Sequence, residues 1–154
     1  MLDKGEDILK VIDFVETIHH PKEEQLLFPV IAKQVWLSQG GPLCTYYRGL
    51  QLEFDPLAPV RRYLRLFYEQ SGISAPSIGE YSWLSEQSPL SIPMEEHFIG
   101  HELSVALRFL SNKKNSALYA EFFEIFRKLY SDLLRVHISK EDNCLFVMCE
   151  AKMS

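Results

Sequence analysis

The apolar residues of this 154-residue chain recur every three or four positions along most of its length. An amphipathic α-helix requires that period, because it lines one face of the helix with apolar side chains. No segment alternates apolar and polar residues over a useful length, as a half-buried strand does. The sequence therefore predicts an all-α fold, most simply a helical bundle. The predicted helices cover residues 5 to about 28, 60–70, 94–110 and 116 to about 148.

Two prolines interrupt the first predicted helix. Pro21 removes a backbone donor and clashes with the carbonyl four residues earlier, so we expect a bend just after His20. The helix is expected to end near Pro29, and an apolar run at 30–37 extends or restarts it.

Residues 40–93 are rich in proline and glycine, which predicts a long connection. Within it, the apolar residues of 60–70 suit a short helix that lies across a surface. The segment 71–93 carries Tyr81 and Trp83 among turn residues, so we expect it to pack through aromatic rings without regular structure. We interpret the chain as one domain, residues 1–154, with an insert at about 40–93.

Composition excludes several classes of protein. Hydrophobic residues make up 47% of the chain, which is too many for a disordered one. The net charge of −5 and the lack of a basic cluster argue against nucleic acid as a partner. No apolar run approaches a membrane span and the N-terminus lacks the features of a signal peptide, so we expect no membrane partner and a cytoplasmic location. The three cysteines, without CxxC spacing, are expected to be reduced thiols.

All five histidines fall in three predicted helices, and each cluster has a second metal-binding side chain four residues on. Such a pair lies only about 40° apart on a helix, so both side chains point at one spot. Imidazole and carboxylate together suit non-haem iron, manganese or zinc. The pattern predicts that three helices share a metal site. The pairs are His20 with Glu24, His97 with His101, and His137 with Glu141. His19 lies about 100° from His20 and is expected to face a neighbour or solvent.

Three segments, HHPKEEQLLFP (19–29), EEHFIGHE (95–102) and HISKEDNCLF (137–146), resemble the signatures of the hemerythrin-like (HHE cation-binding) family. The resemblance implies an antiparallel four-helix bundle with a mono- or dinuclear non-haem iron centre. It also implies O₂, NO or peroxide as a partner. The implied ligands are His20, Glu24, His97, His101 and His137, with Glu141 or Asp142 as the last carboxylate. Helical geometry favours Glu141, because Asp142 lies about 140° from His137 on a regular helix.

The family also has an earlier helix that carries a histidine, but none of the 18 residues before His19 is histidine. Either the chain lacks that helix and its histidine, or its true start lies upstream. With that ligand absent, we expect one metal held tightly by His97, His101 and His137 and a second, at His20, held weakly or not at all. The helix at 60–70 is expected to cover the groove of the missing helix, and a second copy of the chain, in a homodimer, is the alternative cover. Six residues of the insert offer oxygen ligands, although packing and solvated roles are favoured for them: Tyr46, Tyr47, Glu53, Asp55, Tyr63 and Glu69.

Two functions from different classes follow from these features. The first is a hemerythrin-like iron protein that binds or senses O₂, NO or peroxide, or handles iron. The alternative is a degenerate helical module that has lost productive metal chemistry and acts in protein–protein interaction. No catalytic residues stand out, so whether the chain is an enzyme stays open.

Overall fold

The computed structural model describes residues 4–34, 57–85 and 88–153. All regular structure in these residues is helical, which confirms the all-α prediction. Four helices are present in this part of the chain. Helix α1 covers 4–32, α2 is Ala58–Ser71, α3 is Ser91–Ser111 and α4 covers 117–153. None of these helices is long and apolar enough to cross a membrane.

Helix α1 passes both of its prolines, because two wider π turns precede them. Its segments are Lys4–Phe14, Val15–His19, His20–Lys22, Glu23–Leu27 and Phe28–Ala32, of which the second and fourth are π turns. The N–H of His20 donates to the carbonyl five residues earlier, and so does the N–H of Phe28. Each of these residues directly precedes a proline, whose ring would clash with a regular α-helical turn. The helix therefore continues to Ala32 instead of ending near Pro29.

Helix α4 has the same construction without a proline. It runs through Ala117–Lys140, a π turn at Glu141–Leu145 and a last segment, Phe146–Met153. Ser116 caps its start, because the hydroxyl accepts the N–H of Tyr119 at 3.2 Å. All three π turns of the described helices thus lie beside the histidine and glutamate clusters.

Side-chain pairs establish the direction of each helix relative to α3. Helix α1 is antiparallel to it, because Arg108 bonds Asp13 while the ring of His97 stacks on that of His20. Helix α4 follows α3 after a short connection at 112–116, and such neighbours are antiparallel.

Helix α2 instead runs parallel to α3. Arg61 bonds Glu95, and seven residues further along both helices Tyr68 donates to the carbonyl of Glu102 at 2.7 Å. A parallel neighbour requires a long connection, and residues 72–90 provide one. In an antiparallel four-helix bundle the two diagonal helices run parallel, so this direction is compatible with the bundle that the resemblance implies.

A large apolar cluster, here called the main core, joins all four helices. Helix α2 contributes its buried apolar face to it, as expected for the helix predicted at 60–70. The ring of Phe67 meets those of Tyr68, Phe109, Phe122 and Phe126 at centroid distances of 5.1–5.9 Å. The main core includes Ile8, Ile12, Val60, Leu64, Phe67, Leu103, Leu107, Phe122, Phe126 and Tyr130.

A second group, here called the end cluster, packs the far ends of α1 and α4 against the start of α3. It consists of Phe28, Ile31, Leu90, Ile92, Met94, Cys144 and Leu145. Trp83 packs on Phe28 at 6.1 Å and on Tyr81 at 5.4 Å between ring centroids. Residues 72–85 have no regular structure and pack through these rings, as predicted. Predictions that concern residues 35–56, including Cys44, Tyr46, Tyr47, Glu53 and Asp55, lie outside the described residues.

Replacing Phe67 by alanine is expected to lower the free energy of unfolding by about 3–5 kcal/mol, because it empties a fully buried aromatic site in the main core. Leu66, one residue earlier and 42% exposed, provides the matched control. Its replacement by alanine is expected to cost no more than about 0.5 kcal/mol. Urea unfolding of both variants measures the difference, and equal small effects would show that α2 is not part of the bundle.

Candidate metal centre

Four buried side chains from three helices bring their donor atoms together between the main core and the end cluster. His20 and Glu23 come from α1, His97 from α3 and His137 from α4. One donor atom of each lies within 4.8 Å of the others. We call this set the four-donor group. Apolar residues precede and follow its members along each helix, which explains why the packing of the helices takes these polar groups out of water.

The spacing of the donors suits a metal ion. The two Nε2 atoms of His97 and His137 are 3.2 Å apart, and Glu23 Oε1 lies 3.3 Å from the first and 3.8 Å from the second. Ligands held at about 2.0–2.2 Å from one ion lie roughly 3.0–3.5 Å from each other. These three atoms therefore need little rearrangement to close around a cation.

Carboxylates on the outer side of two rings orient them. Glu24 Oε2 lies 3.1 Å from Nδ1 of His97, and Glu96 Oε1 lies 3.5 Å from Nδ1 of His137. A carboxylate beside Nδ1 favours the proton on that nitrogen and leaves the lone pair on Nε2. Two such lone pairs face each other at 3.2 Å. A positive group between them, either a proton or a metal ion, relieves their repulsion.

The carboxylates of Glu24 and Glu96 each accept a hydrogen bond from one further residue. Tyr81 donates its hydroxyl to Glu24, and Lys140 Nζ donates to Glu96 at 3.2 Å. Burial raises the pKa of Glu24, but its hydrogen bonds with His97 and Tyr81 lower it more, so the pKa falls below its ordinary value. Burial and the Glu24 carboxylate raise the pKa of Tyr81 to about 12. The network therefore presents an ionised Glu24 carboxylate to the ring of His97.

A second set of donors, here called the adjacent group, shares two members with the first. It comprises His19, Glu23, His137 and Glu141. His19 Nε2 lies 3.1 Å from Glu23 Oε1, and His137 Nε2 contacts Glu141. His19, which ends the first π turn of α1, thus faces the cluster, and its side chain is only 29% exposed. The expectation that it points elsewhere assumed a regular α-helix.

The two groups contain buried polar atoms that the protein leaves unsatisfied. Among the described residues, Glu23 Oε2 is buried without a hydrogen-bond partner. Glu23 Oε1, Glu141 Oε1 and His19 Nε2 lack well-directed hydrogen bonds, although each lies within ion-pair distance of another member of the cluster. A buried carboxylate oxygen without a donor costs free energy, since it has lost its bonds to water, which indicates that a cation or a donor belongs beside it.

The charges of the site respond to burial and to each other. Burial lowers the pKa of His137, but the carboxylates of Glu141, Glu23 and Glu96 outweigh this and raise it to about 11. Burial and the neighbouring rings of His97 and His137 lower the pKa of His20 to about 2. Without a metal, His137 therefore holds a proton and His20 is neutral.

Burial and neighbouring charges shift the pKa values of the two inner carboxylates, Glu23 and Glu141, in opposite directions. Burial raises the pKa of Glu23, but the imidazoles of His137, His19 and His97 outweigh it and bring the pKa well below its usual range. Burial and the charge of Glu23 raise the pKa of Glu141 to about 7 despite the contact with His137. Glu23 is thus the firm anion at the centre of both groups.

The structure brings together some of the residues that the sequence singles out and leaves others outside. His20, His97 and His137 meet in the four-donor group, and Glu141 lies in the adjacent group. Glu24 contacts Nδ1 of His97, the ring nitrogen that faces away from the four-donor group.

Three predicted ligands of the described residues belong to neither group: Glu24, His101 and Asp142. The His101 side chain is 48% exposed and bonds Glu16 at 2.8 Å, and Asp142 is exposed. One helical turn separates His101 from His97, which is about 6 Å along the axis. His101 therefore lies level with Glu16 of the antiparallel helix. Tyr63 and Glu69 of α2 are also exposed and outside both groups.

No protein-family model, curated protein sequence or solved structure matches the chain. The assignment of roles at this site comes from the geometry of its side chains. Spacing alone missed Glu23, Glu96 and Tyr81. Glu23 stands three residues after His20, which also places it on the same helix face, so an i+3 search would have found it. No local signal points to Tyr81, whose contact spans 57 residues.

Replacing Glu16 by glutamine is expected to destabilise the protein more at about pH 5.5 than at about pH 8.5. The hydrogen bond with Glu16 raises the pKa of His101 against the effect of burial. A raised pKa in the folded state means that the pair stabilises fully below about pH 6.5 and that this contribution is lost as the pH rises through the folded value. Urea unfolding at both pH values measures the difference between variant and wild type.

The control is Asp13→Asn, which removes the nearby Arg108–Asp13 pair on the same two helices but involves no histidine. Its effect is expected to be the same at both pH values. An equal effect of Glu16→Gln at the two pH values would show that the His101 pair contributes nothing that depends on its charge.

Proposed function

We propose that the chain is a hemerythrin-like non-haem iron protein that binds or senses O₂, NO or peroxide. In this proposal one iron is held by His20, Glu23, His97 and His137. One observation carries it: Glu23 is only 4% exposed, its carboxylate lies among three imidazoles, and its Oε2 has no hydrogen-bond partner among the described residues. A buried carboxylate in that state is costly unless a cation binds it.

A metal ion explains the arrangement better than a proton does. A proton on His137 Nε2 relieves the repulsion between two rings, but it bonds one acceptor and leaves Glu23 Oε2 unsatisfied. A divalent ion accepts lone pairs from three nitrogens and a carboxylate oxygen at once. The competing interpretation, a helical module without metal, leaves that buried oxygen unexplained.

The shared residues favour one ion over two. The Nε2 atom of His137 has a single lone pair and belongs to both groups, so it ligates one ion at a time. Glu23 has two oxygens and is able to bridge two ions. A second ion would then have only His19, Glu23 and Glu141. We therefore propose tight binding at the four-donor group and weak binding at the adjacent group.

The donor set and the surrounding space support the choice of iron and of small ligands. Three imidazoles and one carboxylate leave positions open in an octahedral ion, and such sites with open positions are typical of non-haem Fe(II). An open position on ferrous iron accepts O₂, NO or peroxide. A pocket of about 290 Å³ reaches from His20 and His97 to the exposed residues Gln25 and His101. It provides a path for a small molecule from the surface.

The test is anaerobic loading with Fe(II), removal of free metal, metal analysis and a visible spectrum before and after NO is added. Wild type is expected to retain about one iron per chain and to gain a new absorption band with NO. Glu23→Gln and His137→Ala are expected to weaken iron binding by more than about 10-fold, because each removes a ligand. Zinc and manganese are loaded in parallel to establish the preference among metals.

His101→Ala is the matched control, since it removes a histidine of the family motif that lies outside the four-donor group. It is expected to keep its iron. Loss of iron in His101→Ala would favour the ligand set implied by the resemblance over the one proposed here. A ratio near two would contradict the single ion, and a wild type that retains no metal would favour the helical module.

A further inference from the structure

A small cavity adjoins the four-donor group and shares His20 with the 290 Å³ pocket. The rings of His20 and His137 form one wall, and Gly100, Tyr130, Leu133 and Leu134 form most of the rest. The volume open to the centre of a water molecule in this cavity is about 10 Å³. This is close to the minimum volume that one buried water requires. The cavity therefore fits one molecule of two or three atoms next to two of the proposed ligands.

Tyr130 gives this cavity a polar group. The residue is 2% exposed, and its hydroxyl has no hydrogen-bond partner among the described residues. Tyr130 stands seven residues before His137, so both side chains lie on the same face of α4. Burial raises the pKa of the Tyr130 phenol, which keeps it protonated and able to donate. An orphaned donor beside a water-sized space indicates an acceptor in that space.

We infer that this cavity is a binding site for one small hydrogen-bond acceptor, held by the hydroxyl of Tyr130. In the metal-free chain the occupant is a water molecule. In the iron-loaded protein it is the diatomic ligand, O₂ or NO, and this part rests on the proposed function. Tyr130 then donates a hydrogen bond to one end of this ligand. The other end faces His20 and His137.

Gly100 keeps the space open. A Cβ built on Gly100 lies 3.8 Å from Leu133 Cδ2, which is ordinary van der Waals contact. Alanine is therefore tolerated by its neighbours, and it also favours the helix relative to glycine. Its methyl group nevertheless takes part of a cavity that holds only one small molecule. Gly100→Ala thus reduces the space without damaging the fold.

The first experiment needs no metal. The unfolding midpoint of metal-free Tyr130→Phe is compared with those of wild type and of Tyr119→Phe, a control with a partly buried tyrosine on the same helix. If water occupies the cavity, Tyr130→Phe loses a hydrogen bond and its midpoint falls below both references. If the cavity is empty, removal of an unpaired buried hydroxyl raises the midpoint, and that result overturns the inference.

The second experiment measures NO release from the iron-loaded proteins by stopped flow. Loss of one hydrogen bond of ordinary strength is expected to speed release about 5- to 10-fold in Tyr130→Phe, with iron content unchanged. Gly100→Ala is expected to weaken NO binding, whereas Tyr119→Phe behaves as wild type. Unchanged NO binding in both cavity variants would overturn the role of the cavity in ligand binding.

The two experiments separate this inference from the proposed function. A wild type that takes up no metal defeats the iron proposal, and the midpoint of metal-free Tyr130→Phe still decides whether the cavity holds an acceptor. A wild type that binds iron and NO, with cavity variants that release NO at the same rate, retains the proposed function and defeats the ligand site.

Discussion

The placement of the Glu23 carboxylate among three imidazoles is the constraint on which the rest of the structure depends. A buried anion is tolerated only where cations or donors surround it, and these come from three different helices. The helices must therefore hold one axial alignment within a fraction of a turn. The main core on one side and the end cluster on the other provide that alignment, since a slip of either α1 or α4 would break apolar contacts in both.

The insert is part of this arrangement and not an appendage to it. Its helix α2 places Phe67 in the main core, and the irregular segment that follows returns along the bundle to bring Tyr81 to Glu24. His97 is thereby oriented by a residue from the insert, whereas His137 is oriented by Glu96 and Lys140 of the bundle itself. The two rings at the centre are thus supported through independent contacts.

Much of this was visible in the sequence, and the exceptions have physical causes. The helical period located all four helices, and histidine spacing found His20, His97 and His137, because angular position on a helix follows from counting residues. The same counting selected His101, since it measures the angle and ignores the rise of about 6 Å over the four residues from His97. His19 was misplaced because the π turn before it changes the angle itself. The parallel direction of α2 depends on long-range contacts that no local pattern contains.

The π turns are the places where α1 and α4 accommodate an additional residue, whereas their regular segments have a fixed residue count. Each contains a hydrogen bond that spans five residues instead of four, so each accommodates one residue more than an α-helical turn. Deleting one residue from Glu141–Leu145 would restore the regular helix and leave the segments on either side in nearly the same orientation. Deleting one residue from the regular part of α4 before Met148 would instead rotate everything after it by about 100°. The buried side chain of Met148 would then turn toward water. Insertions and deletions are therefore tolerated in the connections between helices, whereas in the regular helical segments the residue count itself is under constraint.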